Sequence, residues 1–364
     1  MAKLGSVMTE AALHERPVTI RQIKVGDVPI GGGAQVAVQS MTNTMTNDVE
    51  ATVQQVYDLN AAGADLVRVS VNGSKALKGF KEVLWRSPVP LIADIHFDYR
   101  MALGAADAGV ACVRINPGNI GGDDRFRAVI EKCQDTGTAM RIGVNSGSVE
   151  KRFWDLPKAQ ALVASALHRV EIAEEMGFLN FKVSLKASHV PEMVEANREF
   201  RKHSDAPLHL GVTEAGTKLP GAIKSAAALG QLLPYGIGDT IRISLAEDPV
   251  EEIPVAYQIL SALDLRHRGP NVIACPSCAR TLGFDVIGMA AQVEDRLKHY
   301  EDHFTVAVMG CVVNGPGEAR DADYGVAGGK DDGVIFAKGQ PLRKVHRDDI
   351  FAALFEEIEK DGRK

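Results

Sequence analysis

The feature that most constrains this chain is an eightfold alternation of short apolar runs with helical segments across its first 260 residues. Apolar strands are expected to begin near Val36, Leu66, Leu91, Cys112, Met140, Phe181, Leu208 and Thr240. The segments between them space apolar residues at a helical period, as in Val53, Val56 and Leu59, or Leu162, Ala166 and Val170. Such alternation makes βα units and a parallel sheet. Eight units in about 230 residues close into a barrel rather than an open doubly wound sheet. Ahead of them, Ile20 to Ile30 reads as a hairpin turning at Gly26-Asp27, set to plug the barrel floor. The predicted class is therefore α/β: an N-terminal (β/α)8 TIM-type barrel over residues 18–265, a small α+β domain over 266–364, and a disordered leader over 1–17.

Composition removes several classes of function. The chain has 364 residues, 45% hydrophobic and 24% charged, which suits a globular protein with a sizeable core. A net charge of −6 with no basic run leaves nothing to neutralise a nucleic-acid backbone, so no nucleic-acid partner is expected. No apolar stretch reaches the roughly 18 residues of a membrane span. Met1 to Pro17 has no apolar core of a secretory signal. The five cysteines, Cys112, Cys133, Cys275, Cys278 and Cys311, are an odd number without an export signal. That points to a reducing cytoplasm, with burial or metal ligation rather than disulfides.

The polar residues at the strand ends are the main functional signal. Gln39-Ser40-Met41-Thr42 ends the first strand, and Arg68 and Ser70 lie in and after the second. The third ends in Asp94 and His96, the fourth in Arg114 and Asn116, the fifth in Arg141 and Asn145. Lys182 and Ser184 belong to the sixth, Thr213 and Glu214 to the seventh, Arg242 and Ser244 to the eighth. Residues i and i+2 of a strand share a face. Cations are costly under the helices, so the interior mouth is the better place for Arg68, Arg114, Arg141, Lys182 and Arg242. A lone arginine of this kind would be read as paired with a carboxylate of the barrel wall. Five strands carrying a base at one depth point instead to an anion of high charge, a phosphate or diphosphate. His96, at a strand end, is a site candidate, whereas His168 and His14 read as solvated or structural.

Pro249, Pro254 and Gly269-Pro270 mark the end of the barrel. Beyond them, strands Asn271 to Ala274 and Thr305 to Met309 run into Cys275-Pro-Ser-Cys278 and Cys311-Val-Val-Asn-Gly-Pro-Gly-Glu318. A helix near Phe284 to Tyr300, a strand near Gly333 to Ala337 and a helix from Arg347 to Lys360 complete this part. A lone CxxC is weak evidence, but a third cysteine in a glycine-rich turn suggests a bulky metal centre. Cys112 and Cys133 fall on a barrel strand and a barrel helix. The available fourth donors are therefore Glu318, His303 and Asn314. A [4Fe–4S] cluster with one weakly held iron suits catalysis, and a structural metal is the plainer alternative.

These motifs resemble the 4-hydroxy-3-methylbut-2-enyl-diphosphate synthase (IspG/GcpE) family in its two-domain bacterial form. The resemblance rests on the two cysteine motifs and on Val38-Gln-Ser-Met-Thr-Asn-Thr, Ala93-Asp-Ile-His-Phe, Arg114-Ile-Asn-Pro-Gly-Asn, Ile142-Gly-Val-Asn-Ser-Gly-Ser and Leu210-Gly-Val-Thr-Glu-Ala-Gly. It implies reductive opening and dehydroxylation of 2-C-methyl-D-erythritol 2,4-cyclodiphosphate in the methylerythritol phosphate route to isoprenoids. It implies a [4Fe–4S] cluster on Cys275, Cys278, Cys311 and Glu318, with Glu318 also catalytic as an exchangeable ligand. Flavodoxin or ferredoxin would donate electrons, and a homodimer would face one copy's barrel with the other's cluster domain. Glu214 would be the acid–base group. Arg68, Arg114, Arg141 and Lys182 would hold the diphosphate, with His96, Asn116, Asn145, Arg242 and Ser244 orienting the substrate or the other side chains. The rival reading is a non-redox barrel enzyme acting on a phosphorylated small molecule, with a structural metal domain. A second is an electron-transfer protein with no substrate of its own, which leaves five converging cations unexplained.

Overall fold

The computed structural model describes residues 19–278, 281, 283–311, 317 and 319–363. The expected leader and Glu318 lie outside the described residues. The chain divides into two compact units between Arg266 and His267.

In the first unit, β1 (Ile23–Val25) and β2 (Val28–Ile30) form the expected hairpin. Gly26, at φ 63°, supplies the left-handed backbone its turn requires. Eight parallel strands follow: β3 (Ala37–Met41), β4 (Leu66–Ser70), β5 (Leu91–Ile95), β6 (Cys112–Ile115), β7 (Ala139–Asn145), β8 (Phe181–Lys186), β9 (His209–Leu210) and β10 (Thr240–Ile241). Their order, β8-β7-β6-β5-β4-β3-β10-β9, is brought round on itself by a parallel bridge between Val183 and Leu208. Helices with punctuated ends connect them. Asp48 caps helix Val49–Ala62 by accepting from the Ala51 N–H, and Gly63 ends it in the left-handed region.

Strand alternation divides the barrel into a dry layer and a charged one. Val67 and Val69, Val113 and Ile115, Met140 and Ile142, and Phe181, Val183 and Leu185 pack into one large core under the helices. The intervening residues share the opposite face. At its floor, Leu66, Ile92, Cys112 and Ala139 pack against Ile23, Val25 and Ile30 of the hairpin. Above that floor the same face carries Arg68, Asp94, Arg114, Arg141, Lys182, Ser184 and Lys186, all buried.

The second unit is a five-stranded mixed sheet. β11 (Asn271–Ala274), β12 (Thr305–Met309) and β13 (Tyr324–Gly328) run parallel, then β14 (Asp332–Ala337) and β15 (Gln340–His346) run antiparallel. Helices Val286–Leu297 and Ile350–Lys360 cover it through Val293, Leu297, Leu354 and Ile358. β13 and β15 were not expected from the sequence. Among the described residues no helix is long and apolar enough to cross a membrane.

Candidate functional site

The charged face is organised around one carboxylate. Asp94, on β5, accepts from Arg114 Nη1 at 3.1 Å and lies 3.7 Å from Arg68 Nη1. Burial alone would raise the Asp94 carboxyl, but Arg68, Arg114 and Arg141 hold it well below the usual carboxylate range. Arg68 also reaches Met41 Sδ through Nη2 at 2.9 Å. Burial brings its guanidinium down to about 10, despite the pull of Asp94.

The remaining cations exceed what Asp94 alone can balance. Arg141 is 1% exposed, and its Nε and Nη1 have no hydrogen-bond partner in the protein. Burial, then the like charges of Arg68 and Arg114, push it well below its ordinary range. Lys182 is wholly buried with no partner on Nζ, and burial lowers it to about 8. Lys186, the last residue of β8, is lowered well below its ordinary range by burial, then by Arg141, Arg68, Arg242 and Arg114. The Gln39 amide, Ser184 Oγ and His209 Nε2 are further buried polar atoms without protein partners. Buried polar groups are normally satisfied, so this concentration of unmet donors marks a place built for a ligand.

The structure corrects the expectation of one common depth. The registered row Asp94, Arg114, Arg141, Lys182 crosses four staggered strands and therefore changes height in the barrel. After burial, the charges that bear most on Lys182 are Cys112, Arg141 and Asp239. Lys186 is the β8 cation that shares the field of the mouth arginines. The two lysines stand four positions apart, about 13 Å along a strand.

The other expected residues divide. Arg242 is paired: Nε and Nη2 donate to Glu252 at 3.3 and 3.1 Å. His96 Nε2 is 3.8 Å from Asp94 Oδ2, and His96 lines a groove of about 360 Å³ with Asn72, Phe97 and Met101. Asn116 joins two loops. Its Oδ1 accepts from the Gly118 N–H and its Nδ2 donates to Ser148 Oγ, so both ends of the amide fasten one strand-end loop to the next. A Cβ on Gly118 would lie 1.8 Å from the Ser148 carbonyl oxygen, which measures how closely those loops approach. Asn145 ends β7, and Ser244 lies two residues beyond Arg242, both half-buried. Glu214 is exposed with φ at 53°, a left-handed backbone uncommon in a non-glycine residue. Lys186, His209 and Glu252 are the residues the sequence reading missed. The i, i+2, i+4 spacing of Lys182, Ser184 and Lys186 was the available signal for the first.

In the second unit, Cys275 and Cys311 follow the ends of β11 and β12, which are hydrogen-bonded neighbours. The Gly310 N–H donates to Cys275 Sγ at 3.0 Å. Such backbone donation to sulfur is the outer-shell support a thiolate metal ligand receives. Cys278 is exposed, and no disulfide joins any of the cysteines. Among the described residues no three acidic, histidine or cysteine side chains gather closely enough to hold a metal ion. Cys112 and Cys133 are buried, and burial raises both thiols, Cys112 to about 11, which keeps them unreactive.

Comparison with known proteins agrees across both units. Residues 20–257 match the GcpE TIM-barrel domain, and residues 271–360 match the GcpE protein C-terminal domain. A 4-hydroxy-3-methylbut-2-en-1-yl diphosphate synthase (flavodoxin) of Lawsonia intracellularis is 51% identical, over 93% of this chain and 96% of its own. The protein of the same description from Hahella chejuensis is 54% identical, over 91% of this chain and 90% of its own. In fold alone, a truncated 3-deoxy-D-arabino-heptulosonate 7-phosphate synthase from Thermotoga maritima aligns at a TM-score of 0.51 and 14% identity. That alignment takes in 69% of this chain and 96% of the other. With both units matched and half of all residues shared over nearly full length, the chain belongs to the GcpE family.

Proposed function

We infer that this chain is a 4-hydroxy-3-methylbut-2-en-1-yl diphosphate synthase, reductively opening 2-C-methyl-D-erythritol 2,4-cyclodiphosphate. The observation that carries the reading is the unbalanced positive charge of the barrel interior, with Arg141 buried and without a partner on Nε or Nη1. A cyclic diphosphate supplies the missing negative charge and several acceptors in one small molecule.

Arg68, Arg114, Arg141 and Lys186 bind the diphosphate, with Lys182 as a cation beneath it. Asp94 keeps Arg68 and Arg114 extended toward it. The buried cations need no reorganisation to meet the charge that the leaving phosphate oxygen acquires on ring opening. Glu214 stands at the rim, where it holds or delivers the proton needed to release water. His96, Asn145, Arg242 and Ser244 orient the sugar carbons, and Asn116 holds the loops that carry them. Thiolate chemistry and the Gly310 donation to Cys275 fit a [4Fe–4S] cluster on Cys275, Cys278, Cys311 and Glu318. When bound, that cluster supplies the two electrons of the reduction, taken singly from flavodoxin or ferredoxin. A cytoplasmic homodimer, one copy's cluster domain serving the other's barrel, belongs to the same reading.

The test is iron and sulfide content with EPR on anaerobically prepared, reduced protein, with and without the cyclodiphosphate. About four irons per chain and a signal altered by substrate are expected. Zinc in place of iron, or a signal blind to substrate, would return the chain to the class of non-redox barrel enzymes.

A further inference from the structure

Glu252 is a buried acid of the first unit for which the substrate-binding scheme above has no use. It begins helix Glu252–Ala262, is 2% exposed, and its carboxylate accepts from both the end of β3 and the segment after β10. Oε2 accepts from Ser40 Oγ at 2.8 Å, at the end of β3. The two oxygens together accept from Arg242 Nε and Nη2 at 3.3 and 3.1 Å, just past β10. Oε1 also accepts from the Leu245 N–H at 3.2 Å, in the loop that follows.

These partners straddle one seam. β3 and β10 are neighbours in the barrel, yet β10 has only two residues of regular strand. Arg242 therefore leaves the ladder almost at once, its N–H making a last bond to the Leu210 carbonyl. A long side chain on so short a strand has many rotamers available, and ordering it at the moment of binding would cost affinity. The side-on grip of Glu252 removes that freedom in advance. It engages Nε and Nη2, while Nη1 lies 3.8 Å from Met41 Sδ, the atom that Arg68 Nη2 also meets. Arg242 and Arg68 thus converge on one methionine, each backed by its own carboxylate, Glu252 and Asp94.

We propose that Glu252 is a positioning residue for the cyclodiphosphate: it acts through Arg242, presenting Nη1 to the ligand in a fixed direction and tying that arginine to the end of β3. The proposal rests on the functional reading above. A carboxamide at this position keeps the size of the side chain but can no longer accept with both oxygens. Ser40 supports the same grip from β3 without touching Arg242.

The experiment is calorimetric titration of the full chain with the cyclodiphosphate, for the wild type, Glu252→Gln, Arg242→Gln and the double variant, with a thermal melt of each. Glu252→Gln should weaken binding roughly 10- to 100-fold, the range of one charge-assisted hydrogen bond. The double variant should bind no more weakly than Arg242→Gln alone, because the two changes remove one device. In turnover the loss should fall on KM more than on kcat. If Glu252→Gln does not fold, Ser40→Ala tests the same chain of contacts, with a smaller loss that also vanishes in the Arg242→Gln background. Losses that multiply in the double variant, or a lower melting temperature with unchanged affinity, would overturn the proposal. Wild-type protein that does not bind the cyclodiphosphate would instead overturn the functional reading beneath it.

Discussion

Replacing Arg141 by methionine should strengthen the fold and ruin the site, and both effects follow from one observation. The side chain is buried, its Nε and Nη1 have no partner, and its strongest electrostatic neighbours after desolvation are Arg68 and Arg114. Replacing buried ion pairs or triads by apolar side chains of similar volume is often neutral or stabilises by about 1–4 kcal/mol, and Arg141, with two nitrogens unmet, belongs with the stabilising cases. At about 2 kcal/mol, and about 2–4 °C per kcal/mol for a domain of this size, the free Arg141→Met protein should melt roughly 4–8 °C above the wild type. The same change removes a guanidinium from the diphosphate, about 3 kcal/mol for a two-pronged contact, or roughly 100-fold in Kd. Ligand at 100 times the wild-type Kd stabilises the wild type by about 2.7 kcal/mol. The variant, then near its own Kd, gains only about 0.4 kcal/mol. Melting curves with and without the cyclodiphosphate should therefore close or invert the gap between the two proteins. A free variant that melts below the wild type would refute the reasoning, because Arg141 would then be satisfied in the empty barrel.

Lys182 makes stability depend on pH in an unusual direction. Its amine is lowered to about 8 by burial, so between pH 8 and its ordinary 10.5 the unfolded chain binds the extra proton and stability rises with pH, by up to about 3 kcal/mol. Urea midpoints at pH 7.5 and 9.5 should shift upward in the wild type relative to Lys182→Met; parallel shifts would remove the lysine as the cause. Cys311→Ser should lose its bound iron and its turnover while keeping cyclodiphosphate affinity, measured by metal analysis and calorimetry; retained iron would exclude Cys311 as a ligand. Gly118→Ala should cost about 1–3 kcal/mol, because its methyl would meet the Ser148 carbonyl, and should weaken substrate binding as the loops of Asn116 and Ser148 part. A melt unchanged within error would mean that the loops separate freely.

Much of the barrel was legible because its strands carry a local signal. Leu66-Val-Arg-Val-Ser70 announces both a strand and the alternation that puts Arg68 opposite the core valines. The interior charges were legible as a set but not in height. The choice between Lys182 and Lys186 depends on barrel stagger, which is a property of eight strands together and of no single one. Glu252 was hidden for a similar reason. An acid in the first turn of a helix is ordinarily explained by the helix dipole, and its partner Ser40 is 212 residues away. Only half of the Asn116 arrangement is local, the bond from the Gly118 N–H; its other partner, Ser148, is 32 residues on, in the loop after the next strand. In the second unit β13 is interrupted by glycines, and β15, Gln340-Pro-Leu-Arg-Lys-Val-His346, is an almost wholly exposed edge strand with no apolar alternation to reveal it.

The hairpin that seals the floor gives the barrel interior a single doorway. Ile23, Val25 and Ile30 close the lower end with a dry plug, leaving the upper rim for traffic. Substrate, water and product then queue at the same opening, so a new substrate molecule waits for the old product to leave. Bound product should therefore exclude substrate from the interior until it departs. A slower exit, imposed by viscous solvent, should depress turnover at saturating substrate even where the chemistry is untouched.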